Sequence, residues 1–98
     1  MEHVRDGNKV TVSPKRDIVS ICVPELRDKL FALVEGGTNE VMLDLTQVGI
    51  IDSAGLGLLI ALHNTLEEDK GTLEVCNASE NLVELFRIMR LDKHFTVR

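Results

Sequence analysis

The residues in this sequence with the clearest capacity for chemistry are Asp52-Ser53-Ala54-Gly55-Leu56-Gly57. A small polar pair stands directly ahead of two glycines and an apolar run, the pattern of a helix start. A serine there is exposed by geometry, and free backbone N–H groups at a helix N-terminus favour an anion. Phosphorylation of Ser53 would add about −1.5 to −2 charge at one point of the surface. Gly55 leaves the backbone uncovered, so a neighbouring surface or a kinase cleft can approach closely. The same residues fit a purely structural role, in which Asp52 or Ser53 caps the helix and the glycines permit close helix–sheet packing. Spacing by itself favours the cap.

Other chemistries find fewer of their parts. A phosphate-binding loop needs a longer glycine spacing and a following Lys, and neither is present. A Gly-x-Gly pair without a third glycine and a distant ribose-binding acid is too weak for a dinucleotide site. A nucleophile elbow needs Gly two positions before the serine, where Ile51 stands. Asp44 and Asp52 both fall near the carboxyl end of one strand, but the acidic pair after a first strand and the late Lys of a phosphate-accepting receiver are missing. His63 lies ten residues into a helix and has no partners at metal-ligand spacing, so it reads as partly buried and no metal is expected. Cys22 and Cys76 lack a neighbouring His and read as small apolar fillers. Glu67-Glu68-Asp69-Lys70 reads as a solvated helix end.

The elements that must position these residues follow from periodicity. Lys9-Val10-Thr11-Val12-Ser13 alternates as a strand with one covered face. Pro14-Lys15-Arg16 reads as a turn and Asp17 to Ile21 as a second strand, forming an N-terminal hairpin. A first helix enters through Cys22-Val23-Pro24-Glu25, carries Leu26, Leu30, Leu33 and Val34, and stops at Gly36-Gly37. Val41-Met42-Leu43-Asp44-Leu45 is a nearly unbroken apolar run, as in a strand covered on both faces by helices. Thr46 to Asp52 is a loop, and Ser53 to about Lys70 a second helix ended by Gly71. Thr72 to Cys76 alternates as a strand, Ser79 or Asn81 caps a third helix with Leu82, Leu85, Phe86 and Met89, and Phe95-Thr96-Val97 suits either an edge strand or a tail that packs down. The stretch from Val41 to Cys76 is a βαβ unit with parallel strands. The expected fold is α/β: a mixed sheet of four to five strands with three to four helices packed against it.

Composition sets limits on function. The chain has 98 residues, 44% hydrophobic and 28% charged, which suits one compact domain over residues 1–98. Its formal charge of −5 and three Phe argue against nucleic acid, which needs clustered Lys/Arg and stacking aromatics. The same charge argues against an anionic membrane. The stretch around Leu56 to Leu62 is too short to span a bilayer, and Met1 to Asp6 lacks a signal peptide's apolar core. Two cysteines are too few for a disulfide scaffold, so the cytoplasm is the expected compartment. Three scattered His and no Trp or Tyr leave little catalytic equipment, so no enzymatic activity and no cofactor are expected.

The run Val41-Met42-Leu43-Asp44-Leu45 through Ile51-Asp52-Ser53-Ala54-Gly55-Leu56-Gly57-Leu58-Leu59 resembles the STAS-domain family of bacterial anti-sigma factor antagonists. Pro24-Glu25-Leu26-Arg27 is similar to the start of that family's first helix, and Phe86 to Leu91 with Phe95 to its last helix and tail. The resemblance implies a phosphoacceptor at Ser53, modified by an anti-sigma factor serine kinase and restored by a PP2C-type phosphatase. It implies that Asp52, Ser53, Ala54, Gly55 and Leu56 meet the partner, and that the unphosphorylated protein binds the kinase and releases a sigma factor. The kinase, not this chain, supplies the nucleotide. Arg16-Asp17-Ile18-Val19 departs from the family's Gly–acid–aliphatic–Asp/Asn, with Val19 replacing a polar residue near the docking face. Cys22 replaces a capping Thr. Related domains serve chemotaxis or sensor-kinase pathways or sense small ligands, and those are the alternative roles.

Overall fold

The computed structural model describes residues 1–98, and its elements run β1 (Glu2–Asp6), β2 (Lys9–Ser13), α1 (Val23–Glu35), β3 (Glu40–Asp44), α2 (Ser53–Glu68), β4 (Thr72–Cys76), α3 (Glu80–Ile88), a 3₁₀ turn (Leu91–Lys93) and β5 (Thr96–Val97). The five strands lie in the order β1-β2-β3-β4-β5. β1 and β2 are antiparallel, and every later pairing is parallel. This is the expected mixed sheet with helical crossovers. The βαβ unit is present, with Val41 opposite Leu73 and Leu43 opposite Val75.

The hairpin is formed differently from the expectation. Asp17 to Ile21 is no strand, and its sole ladder contact is a single parallel bridge from Ile18 to Ile51. The partner of β2 is instead β1, joined through Gly7-Asn8. Gly7 has φ +65°, the left-handed setting that a two-residue turn of type II′ asks of its first central residue. All five β1 residues are exposed, so the strand has no apolar alternation to betray it. Backbone pairing with β2 sets it in place, together with an exposed ion pair from Glu2 to Lys15.

Val10, Val12, Val41, Leu43, Leu73 and Val75 project from the sheet into one cluster of 21 buried residues. The same cluster takes Leu26 and Leu30 from α1, leucines of α2 spaced about one turn apart such as Leu59, Leu62 and Leu66, and Leu82 and Phe86 from α3. The helices therefore share one face of the sheet. Met42 is only 7% exposed but stands outside that cluster, beside Thr11 and Glu74 in the ladder. Its burial made β3 look covered by helices on both faces. The helix layer covers one.

Helix ends follow the local chemistry. Pro24 sits in the first turn of α1, and Cys22 at its N-cap makes no side-chain cap bond, as a thiol would be expected to do. The Val19 carbonyl instead accepts the N–H groups of Cys22 and Val23. Ser79, rather than Asn81, caps α3 through the Leu82 N–H. α2 ends at Glu68, two residues before the expected limit, because Lys70 turns to φ +59°. Gly71 then passes so close to Asn39 that a Cβ would lie 2.1 Å from its carbonyl oxygen. No helix is long and apolar enough to cross a membrane.

Phe86 is fully buried and meets Phe95 edge-on, with centroids 5.8 Å apart and planes at 80°. That contact ties α3 to the tail leading into β5. Phe86→Ala should destabilise the fold by about 3–5 kcal/mol, measured as a lower midpoint in urea at unchanged slope.

Candidate functional site

The segment from Asp52 to Gly57 forms the first turn and a half of α2, which begins just beyond the carboxyl end of β3. Asp52 takes an extended backbone (φ −88°, ψ −175°), and its Oδ1 accepts the Gly55 N–H at 2.9 Å. It is the N-cap. Its other oxygen, Oδ2, accepts the N–H of Ser20 at 2.9 Å, reaching across to the loop ahead of α1. These backbone bonds, first from Gly55 and then from Ser20, hold the Asp52 carboxyl below its ordinary range.

A second aspartate makes a matching bond in the reverse direction. Asp17 Oδ1 accepts the N–H groups of Gly49 at 2.9 Å and Ile50 at 3.0 Å. Between the two, Ile18 donates to the Ile50 carbonyl at 3.0 Å and accepts from Asp52 at 3.3 Å. The loops preceding α1 and α2 are thus stitched into one frame around Ile18, which is fully buried. The serine hydroxyl stands on that frame.

Of the five residues expected to meet a partner, the structure brings Asp52, Ser53 and Ala54 to the surface, with Ser53 exposed and the other two half-buried. Gly55 and Leu56 are buried and belong to the underside of the site. The reading of Gly55 as uncovered backbone is corrected here. A Cβ on it would lie 2.3 Å from the Ile18 carbonyl oxygen and 2.8 Å from Ile51 Cγ2, so its missing side chain lets α2 settle onto the loop. Gly57 is the uncovered one, exposed and with nothing within 4 Å of a Cβ.

The other candidates are engaged elsewhere. Asp44 accepts from Thr46 and Asn77, bonds that lower its pKa, and it forms no pair with Asp52. His63, its side chain 13% exposed, is partly buried as expected and meets Glu67 Oε2 at 2.9 Å, while Glu67 to Lys70 are exposed as a solvated helix end should be. Both thiols are half-buried and unbonded to each other, and burial pushes that of Cys76 up. No three His, Cys, Asp or Glu side chains converge to hold a metal ion. Sequence reasoning missed Asp17, Ser20, Ile21 and Ile50 as members of the site. Asp17, Ser20 and Ile21 come from a loop some thirty residues before their partners, which no local spacing announces, and Ile50 lies in the loop just ahead of α2.

The family model described as Mlab, STAS domain matches residues 4–98. The anti-sigma-B factor antagonist of Bacillus subtilis (strain 168) is 33% identical over 87 residues, covering 89% of this chain and 79% of the relative. A crystal structure from Thermotoga maritima superposes with a TM-score of 0.93 at 18% identity, covering 98% of this chain and 83% of that one. The Bacillus cell fate determinant SpoIIAA in its phosphorylated form superposes at 0.78 with 18% identity, covering 99% and 89%. These two structural likenesses concern the fold.

Two outcomes follow from the site's geometry. Gly55→Ala should cost about 1–3 kcal/mol of stability, since neither the Ile18 carbonyl nor α2 can move without opening the core, and a thermal melt checks it. The lowered pKa of Asp52 means that its contribution to stability is present above its ordinary range and is lost as pH falls through the folded value. Asp52→Asn, which keeps a capping side chain but no titration, should therefore flatten the loss of urea stability below about pH 4.

Proposed function

As the chain belongs to the STAS domain family, we propose that it is an anti-sigma factor antagonist, a binding module switched by phosphorylation of Ser53 and not itself an enzyme. The observation that carries this reading is the exposed Ser53 hydroxyl at the first position of α2, in a chain one-third identical to a named anti-sigma-B factor antagonist. Unphosphorylated, the protein docks on an anti-sigma factor serine kinase in the cytoplasm and frees a sigma factor. The kinase transfers phosphate from ATP to Ser53, and a PP2C-type phosphatase removes it. Asp52, Ser53 and Ala54 touch the partner, while Gly55 and Leu56 hold that turn from beneath.

Electrostatics support a switch at this place. In the unphosphorylated state the two carboxylates of the frame, Asp17 and Asp52, both accept backbone N–H groups. Lys15 and Arg16, the cations next to Asp17 in the chain, pair with Glu2 and Glu25. A phosphoryl group on Ser53 would add about −1.5 to −2 charge beside those carboxylates. Burying that charge against a partner without compensation is strongly unfavourable.

Incubation with an anti-sigma serine kinase and ATP should place phosphate on Ser53 in phosphopeptide mass spectrometry. Calorimetry should then find Ser53→Asp binding the kinase at least about tenfold more weakly, or about 1.4 kcal/mol, with the melting temperature retained. Modification solely at another residue, or unchanged affinity, would count against the switch.

A further inference from the structure

Two adjoining hollows lie on the far half of α2, away from the Ser53 turn. The first, about 250 Å³, is lined by Ile60, His63, Asn64, Leu91, His94 and Phe95. The second, about 170 Å³, shares His63, His94 and Phe95 with the first and adds Glu67 and residues of β4 and β5. His63 stands about 15 Å beyond Ser53 along the helix axis, so the two places are separate. An unusual turn brings three rings together here. Arg90 takes φ +58°, a left-handed setting that glycine holds without cost and arginine does not. That reversal follows α3 and leads into the segment from Leu91 to Phe95, whose two end residues are only 4% and 5% exposed. His63 then lies 5.8 Å from His94 and 6.2 Å from Phe95, centroid to centroid, with planes tilted by 57° and 60°. The rings do not stack flat, and the hollows remain beside them.

The lining selects the occupant. Glu67 is the one side chain around either hollow that carries a formal charge. Its Oε2 stands 2.9 Å from His63 Nε2, and its side chain is 70% exposed, so the carboxylate is free to turn toward a second cation. Ring faces and a carboxylate together attract a cation, and Ile60 and Leu91 supply an apolar wall for whatever carries it. An anion would meet Glu67 and a chain of −5, with no Lys or Arg in the lining to receive it. A metal ion fails as well, because no three His, Cys, Asp or Glu side chains converge on one point.

We propose that the two hollows form one binding site for a small organic ammonium ion, a primary amine on an apolar body. The body lies against Ile60, Leu91 and Phe95, and the ammonium group sits between the rings of His63 and His94 and the carboxylate of Glu67. With Glu67 largely in water its attraction is screened, so the site binds a fragment weakly and gains affinity from the apolar wall. It is a site of a different kind from the Ser53 surface and stands whether or not that serine is phosphorylated.

The probe is phenethylamine, titrated into isotope-labelled full-length protein at neutral pH and followed by NMR. Phenethyl alcohol and phenylacetate, which keep the ring and change the charge, are titrated beside it. The amine should shift the signals of Ile60, His63, Leu91 and Phe95 saturably, and the alcohol and the acetate should each bind at least about tenfold more weakly. Glu67→Gln, a change at an exposed position, should weaken the amine several-fold and leave the alcohol unchanged. Ile60→Trp, whose larger side chain fills the apolar hollow, should remove saturable binding of both. A thermal melt of each variant separates loss of the site from loss of the fold, and Glu67→Gln decides by itself if the tryptophan is not accommodated. Equal affinity for amine and alcohol, tighter binding of phenylacetate, saturable shifts confined to other residues, or no saturable shift overturns the site. Unchanged amine affinity in Glu67→Gln overturns it as well. None of these outcomes bears on Ser53.

Discussion

The approach of α2 to the Ile18 carbonyl is the constraint on which the exposed end of this molecule depends. A methyl group at position 55 would stand 2.3 Å from that oxygen, so only glycine lets the helix come down. Once down, its N-cap Asp52 is within reach of Ser20, and Ile51 is within reach of Ile18 for a parallel bridge. Those bonds in turn satisfy backbone groups that two irregular loops would otherwise leave buried and unpaired. Serine 53 inherits its position from this chain of contacts. It has no side-chain hydrogen bond of its own in the fold, and none is needed to hold it outward.

The same arrangement separates the residues that hold the frame from those that face solvent. The residues that fix the frame point inward or are engaged by backbone: Ile18, Ile51, Gly55 and Leu56 underneath, Asp17 and Asp52 at the joints. Those that project outward, Ser53, Ile21 and Ile50, make no contribution to the core cluster. A modification on the outer set therefore changes what a partner meets without asking the scaffold to rearrange. Electrostatic switching on a rigid surface requires that division, because a loose surface would relax around the added charge and blunt it.

Much of the helix layer was legible in the sequence, and the reason is burial on one side. Leucines of α1 and α2 and the alternating residues of β2 and β4 face a single core, so period and polarity agree. Asp52 and Ser53 were legible as a helix start for the same local reason. β1 was not, since Glu2-His3-Val4-Arg5-Asp6 is exposed on both faces and shows no alternation. The Gly7-Asn8 pair was the available signal for that hairpin. Asp17 to Ile21 misled in the opposite way, its apolar content serving one buried residue, Ile18, and one exposed residue, Ile21. Which glycine of the motif is packed and which is open is something spacing does not carry: the side of a helix that faces a loop is decided by the loop's path, more than thirty residues earlier in the chain.

Strand order matches chain order from β1 to β5. Each new strand is laid against the edge left by the one before it, and none is inserted between two that are already paired. No ladder has to open to admit a latecomer. The loops to be closed are then each about one helix long, which keeps the entropy of every step small. A sheet of this kind can be extended stepwise from its hairpin, with one free edge handed forward from β2 to β3 to β4 while the outer edge of β1 stays unpaired.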